Sequence, residues 1–102
     1  MAEFVTVGKV DEVAEGASKG FSVNGAEIAV ARSGGTLYAF GDICTHRGCN
    51  LSMGEIEGST ITCECHGSVF DMGTGEAVEG PAEEPVATFD VREEGGDLQV
   101  GV

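Results

Sequence analysis

The chain has 102 residues, 17 of them glycine, and sets 18 acidic side chains against five basic ones for a net charge of -13. That length holds one domain, with a single small core covering roughly two thirds of the unfolded surface. The charge argues against nucleic acid or an anionic membrane as a partner, and the glycine content, over twice the usual share of about 7%, predicts tight turns between short strands.

Residues 4–7 read as a first strand, and 11–16 as an acid-rich loop or single helical turn. Residues 21–23 and 26–31 flank Asn24-Gly25, a hairpin signal because both central residues of that turn need positive φ. Ile28 and Val30 then share a face. After Gly34-Gly35, β-branched and aromatic residues favour a third strand at 36–40. Between 41 and 80, glycines 54, 58, 67, 73, 75 and 80 punctuate loops, and only 60–63 and 69–70 read as strand. Residues 86–92 alternate with Ala87, Phe89 and Val91 on one face. Gly95-Gly96 then turns into 97–102, with Leu98, Val100 and Val102 inward. No stretch sustains a 3.6-residue period, so the fold class is all-β.

The N-terminal MAEFVTVGKV lacks the basic start and apolar run of a secretory signal, and no segment approaches the ~20 apolar residues of a membrane span. A cytoplasmic location is the expectation. Four cysteines in that compartment point to metal or redox chemistry more than to a disulfide scaffold. No nucleophile elbow or phosphate loop is present, the carboxylates show no recognisable pairing, and GTG at 73–75 is a hairpin turn in length and composition. The chain does not read as an enzyme. Its acidic surface reads either as a solubility device or as a docking face for a basic partner.

Both histidines lie beside cysteines. Cys44-Thr45-His46 and Cys63-Glu64-Cys65-His66 are separated by the 16 residues 47–62, and each loop offers one Cys and one His. Two thiolates and two imidazoles suit a structural zinc, although zinc motifs usually pair Cys with Cys and His with His. The mixed arrangement fits a two-iron cluster with Cys44 and Cys63 on one iron and His46 and His66 on the other.

On these motifs, and on LSMGEIEGSTITC at 51–63, CECHGSVFD from Cys63 and TGEAVEGPAEEPVATFDVR up to Arg92, the chain resembles Rieske [2Fe-2S] proteins, in particular the small ferredoxins that feed electrons to aromatic-ring-hydroxylating dioxygenases. The resemblance covers nearly the full length. It implies one domain over 1–102: a β-sandwich base from 1–40 and 86–102, and a small inserted cluster-binding subdomain over about 41–85. There two loops hold one [2Fe-2S] cluster through Cys44, His46, Cys63 and His66, and a proline-bearing loop at 80–85 covers it. It further implies a soluble one-electron carrier between a flavin-dependent reductase and a terminal oxygenase. The alternatives are a Rieske subunit of another multi-subunit redox complex and, in a different class, a zinc-stabilised interaction module. The small subunit of assimilatory nitrite reductases shares the fold but lacks the ligands that are intact here.

Cys49 and Cys65 are left over. In Rieske proteins of respiratory and photosynthetic complexes the CTHxGC and CxCHGS pattern carries a disulfide between the loops, and the resemblance implies a Cys49–Cys65 bond. Dioxygenase ferredoxins typically lack the pair, so the sequence departs from them, and two buried thiols are the alternative. Ser68 resembles a serine that donates to a bridging sulfide and raises the potential, or is a plain turn serine. The tyrosine that accompanies it in high-potential members is replaced by Phe70, which has no hydroxyl. Backbone amides near Gly48 and Gly67 are expected donors to the sulfurs. Arg47 would favour the reduced cluster and Glu64 disfavour it, unless water screens both. Reduction adds one negative charge to an acidic protein, so the electron should leave readily toward a basic partner, through His46 and His66 at the contact edge. Neutral imidazole ligands couple reduction to proton uptake at high pH. The midpoint potential is therefore expected to fall as pH rises through the histidine deprotonations; a flat potential from pH ~7 to pH ~10 in protein-film voltammetry would count against that ligation.

Overall fold

Short alternating segments and glycine turns produce antiparallel strands throughout a computed structural model of the chain, which describes residues 3–23, 25–43, 49–64, 67–80 and 84–101. The strands are β1 (Phe4–Lys9), β2 (Ser18–Val23), β3 (Ala26–Ser33), β4 (Thr36–Gly41), β5 (Glu55–Glu57), β6 (Thr60–Thr62), β7 (Val69–Asp71), β8 (Ala77–Glu79), β9 (Thr88–Glu94) and β10 (Asp97–Gly101). Single 3-10 turns occupy Val10–Glu12 and Leu51–Met53. The strands form one six-stranded sheet, ordered β1-β10-β9-β4-β3-β2, and one four-stranded sheet, β5-β6-β7-β8.

The larger sheet is two three-stranded halves whose described strands pair at Ala39–Phe89 and Phe40–Thr88. Val23, Ile28, Val30 and Ala39 of one half meet Leu98 and Val100 of the other, together with Val13, in one buried core. The arrangement is all-β, as the alternation predicts, and sandwich-like, as the resemblance implies. Strand β3 is buried on both faces: Ile28 and Val30 enter that core, while Ala29 and Ala31 join a second core with Phe40, Leu51, Ile61, Cys63, Phe70, Met72 and Val86. Each large side chain so buried contributes about 1.5–3 kcal/mol of transfer free energy. The second core fastens the small sheet to the large one.

The β2–β3 hairpin pairs Val23 with Ala26 across the expected turn, of which Gly25 has φ 82° and Asn24 lies outside the described residues. The 73–75 segment turns β7 into β8, and Asp71 Oδ1 accepts from the Gly73 and Thr74 amides at 2.8 and 3.1 Å. Two readings need correction. The strand expected at 86–92 begins at Thr88, with Ala87 exposed and Val86 buried instead. The backbone there is committed elsewhere: the Val86 amide donates to Gly75 O at 2.8 Å, and Ala87 O accepts from the Gly41 amide at 2.8 Å. Strands β5 and β8 lie in the stretch read as loop. At three residues each they are too short for alternation to register. Val102 lies outside the described residues.

Charge is unevenly placed. Among the described residues the basic side chains Lys9, Lys19, Arg32 and Arg92 all belong to the large sheet, whereas the small sheet carries Glu55, Glu57, Asp71 and Glu79 and no cation. Glu12 accepts from Lys19 Nζ at 2.5 Å and from the Lys9 amide at 2.7 Å, which holds its carboxyl below the ordinary range. Glu15 is lowered likewise by the Gly35 and Gly34 amides, at 2.9 and 2.7 Å, and so ties the β3–β4 turn. A carboxyl lowered on folding adds stability above its unfolded pKa, and that contribution is lost as pH falls through the folded value. Glu15→Gln is expected to leave stability less dependent on pH below about 4.3, read as a shallower fall in thermal midpoint on acidification; an unchanged slope would show that the turn contacts carry no linkage.

Candidate metal centre

The chain enters the site from β6, whose Ile61 is buried between Ile56 of β5 and Phe70 of β7 in register. Immediately after it the backbone closes on itself. The Cys63 amide donates to Ser68 O at 2.6 Å, and the Gly67 amide returns to Cys63 O at 3.0 Å. Gly67 has φ 74°, a conformation that L side chains rarely adopt. The loop 63–68 is thereby fixed at its base. Cys63 is 1% exposed, packed in the second core, yet it lines a cavity of 380 Å³ with Met53, Gly54, Glu55, Thr62, Glu64 and Gly67. Ser68 is fully buried and β7 begins at the next residue.

The other loop leaves β4 through Asp42 and Ile43 and returns at Asn50. Its two feet are joined by a bridge between Ile43 and Asn50 and by the Leu51 amide donating to Asp42 O at 2.5 Å. The Asp42 side chain, 1% exposed, lies across this neck: Oδ1 accepts from the Ser52 amide at 2.7 Å, and Oδ2 from Asn50 Nδ2 at 2.9 Å and Ser52 Oγ at 3.1 Å. A buried carboxylate without such donors would cost several kcal/mol. Within the loop, Cys49 is half-buried, packs against the second core and is disulfide-bonded.

Of the residues singled out in the sequence, Cys63 and Cys49 pack in or against the second core, Cys63 and Gly67 line the cavity at its edge, and buried Ser68 joins them through the bond from the Cys63 amide. Cys44, His46, Gly48, Cys65 and His66 lie outside the described residues, as does Arg47. For that reason no set of three metal-type side chains assembles among the described residues. Of the covering loop at 80–85, residues 81–83 also lie outside them. Glu64 is exposed, which leaves its charge screened by water. Sequence reasoning missed Asp42, Asn50 and Ser52. The available signal was an aspartate two positions before a ligand-type cysteine, in a chain whose acids otherwise suit solvent.

The donor chemistry fits an iron–sulfur cluster. A soft sulfur donor sits on a rigid turn, out of water, at the wall of a cavity. A larger cavity of 510 Å³ between β4 and β9 is lined by Leu37, Tyr38, Met72, Thr88 and Phe89 among others, and has neither cysteine nor histidine in its wall. It offers no such donor.

Comparison with known proteins agrees with this chemistry. Over 83 residues the chain is 38% identical to the ferredoxin component of the naphthalene 1,2-dioxygenase/salicylate 5-hydroxylase systems of a Ralstonia species, covering 81% of this chain and 80% of that protein. It is 36% identical over 94 residues to the cytochrome b6-f complex iron-sulfur subunit of Chlorobaculum thiosulfatiphilum, covering 92% of this chain but only 51%, about half, of that protein. The solved ferredoxin of carbazole 1,9a-dioxygenase from Nocardioides aromaticivorans IC177 superposes with a TM-score of 0.90 at 33% identity, covering 97% of each chain. A family model for the Rieske [2Fe-2S] domain matches residues 3–90, and the chain belongs to that family.

Proposed function

We propose that the protein is a one-electron carrier, a Rieske-type ferredoxin that takes electrons from a flavin-dependent reductase and delivers them to a terminal oxygenase. The observation that carries this reading is the two-way coverage of dioxygenase ferredoxins, about four fifths of each chain in sequence and 97% of each in structure, by a chain whose backbone turn buries Cys63 at the wall of a cavity. The protein is a component of an oxygenase system and not itself a catalyst. Among the described residues no helix is long and apolar enough to cross a membrane, and we place its work in the cytoplasm.

In this reading Cys44 and Cys63 hold one iron, His46 and His66 the other, and the stretch 41–85 forms the cluster-binding subdomain on a base of 1–40 and 86–102. The bound cluster supplies a one-electron couple. The chain's own residues do the rest: the Cys63–Ser68 turn fixes the second loop, Ser68 and the Gly48 and Gly67 amides tune the sulfurs, and Cys65 is the disulfide partner of Cys49, tying the two loops together. A bond closing a loop of that length stabilises by about 3 kcal/mol on chain entropy.

The Cys49 disulfide favours one further reading, an electron-transfer subunit of another multi-subunit redox complex, since the cytochrome b6-f subunit is also similar to this chain. Midpoint potential separates the two, because Rieske centres range over about -150 to +300 mV and oxygenase supply suits the low end.

Purified protein is expected to be coloured, to give a Rieske EPR signal on reduction, and to pass electrons from a flavin reductase to a ring-hydroxylating oxygenase. A colourless, zinc-containing protein would replace the reading with a structural module, and an oxygenase that accepts no electrons would remove the proposed role. Cys49→Ser is expected to leave the cluster spectrum in place while raising cluster loss at elevated temperature several-fold. Thiol titration of denatured protein, with the cluster removed under non-reducing conditions, should count two more thiols after disulfide reduction than before; equal counts would leave both cysteines as thiols.

A further inference from the structure

The neck of the 44–49 loop contains a buried carboxylate that the electron-transfer reading does not use. Asp42 is bonded in two directions. Its amide donates to Glu27 O of β3 at 3.0 Å, which secures it to the large sheet. Its carbonyl and both carboxylate oxygens hold Asn50, Leu51 and Ser52 on the far side of the loop, as described above. Ser52 O in turn accepts from Ser18 Oγ of β2 at 2.8 Å. Both feet of the loop thus reach the base through one side chain and its immediate neighbours.

A second position, 22 residues earlier in the chain, has been left open for this carboxylate. Gly20 lies within β2 opposite Ala29, a place where glycine weakens a strand. Its φ is not in the left-handed region, so the backbone does not require glycine. Space does: a Cβ at Gly20 would stand 2.5 Å from Asp42 Oδ2 and 3.1 Å from Ser52 Oγ. Those are the two atoms of the carboxylate–hydroxyl contact at the neck. The strand gives up a side chain where the clamp needs room.

We propose that Asp42 is a positioning residue for the first ligand loop, that it sets the span between the loop's feet and so the placement of Cys44 and His46, and that Gly20 is the space it requires. This rests on the reading of Cys44 and His46 as cluster ligands. Its basis is geometric: one buried side chain with three donors, anchored to β3, straddling the only two strands of backbone that enter and leave the loop.

The test uses the cluster-loaded protein and measures the rate of visible bleaching under chelator together with the EPR line shape of the reduced state. Asp42→Ala is expected to bleach at least ~10-fold faster, matching the low end of the affinity lost at other metal sites when the groups orienting a ligand are removed, and to shift the g-values. Asp42→Asn is expected to stay near the unaltered rate, because an amide can accept from the Ser52 amide and, with Asn50 turned over, donate to its Oδ1. Gly20→Ala is expected to reproduce the Asp42→Ala changes, and to add little on top of them, since the atom it strikes is then gone; such non-additivity marks a shared contact. Val100→Ala, a cavity in the other core, is the control for general destabilisation and should leave the line shape unchanged. If Asp42→Ala does not fold, Asn50→Ala, which removes one donor, carries the same expectation at smaller size. An unchanged bleaching rate and line shape in folded Asp42→Ala, or equal effects from Val100→Ala, overturns the proposal. Absence of any Rieske signal from the unaltered protein would instead overturn the cluster reading on which it stands.

Discussion

Burial of β3 on both faces is the constraint on which the molecule depends. A strand that alternates Ile28, Ala29, Val30 and Ala31 presents large side chains to one core and small ones to the other. The large residues fill the space between the halves of the sandwich. The alanines let the four-stranded sheet approach closely, so that its Ile61 and Phe70 share a core with them and with Phe40 of the neighbouring strand. Larger residues at 29 and 31 would overpack that layer and push the small sheet away. The Cys63–Ser68 turn is therefore carried by a sheet whose approach to the base depends on two methyl groups.

On that platform each loop is closed at its base by backbone hydrogen bonds before any cofactor chemistry enters. One closes between Cys63 and Ser68, the other between Asp42 and Leu51. Both closures use short contacts made possible by local sequence: a glycine with positive φ at 67, and an aspartate whose carboxylate is satisfied by Asn50 and Ser52. Preformed loop bases reduce the conformational entropy lost when ligands are ordered.

The parts of the fold written in alternation were legible: the Asn24-Gly25 and Gly95-Gly96 hairpins, the strand 36–40, and the inward Leu98 and Val100 all follow from period-two patterning next to turn residues. What escaped had a physical reason for doing so. Strands β5 and β8 hold three residues each and are defined by their partners, not by a pattern of their own. Val86 reads as strand because its alternation continues that of β9, but its amide donates to Gly75 O instead. At the site, Cys63, Gly67 and Ser68 were legible as residue types at a spacing. Asp42 was not, because its role depends on side chains 8 and 10 residues away and on the absence of one at Gly20. A missing Cβ leaves no mark in a sequence already rich in glycine.

The segregation of described cations onto the large sheet has a consequence before contact. Within the described strands the small sheet's Glu55, Glu57, Asp71 and Glu79 have no cation among them, whereas the large sheet's carboxylates Glu27, Asp90, Glu93, Glu94 and Asp97 are interspersed with its cations, so both sheets are acidic and the small sheet's charge is unrelieved. A positively charged surface that comes within about a Debye length, ~8 Å at physiological ionic strength, meets that unrelieved charge over the small sheet's described strands. Among the described residues, confining four basic side chains to one sheet leaves the strands beside the Cys63 turn with carboxylates that no neighbouring cation offsets.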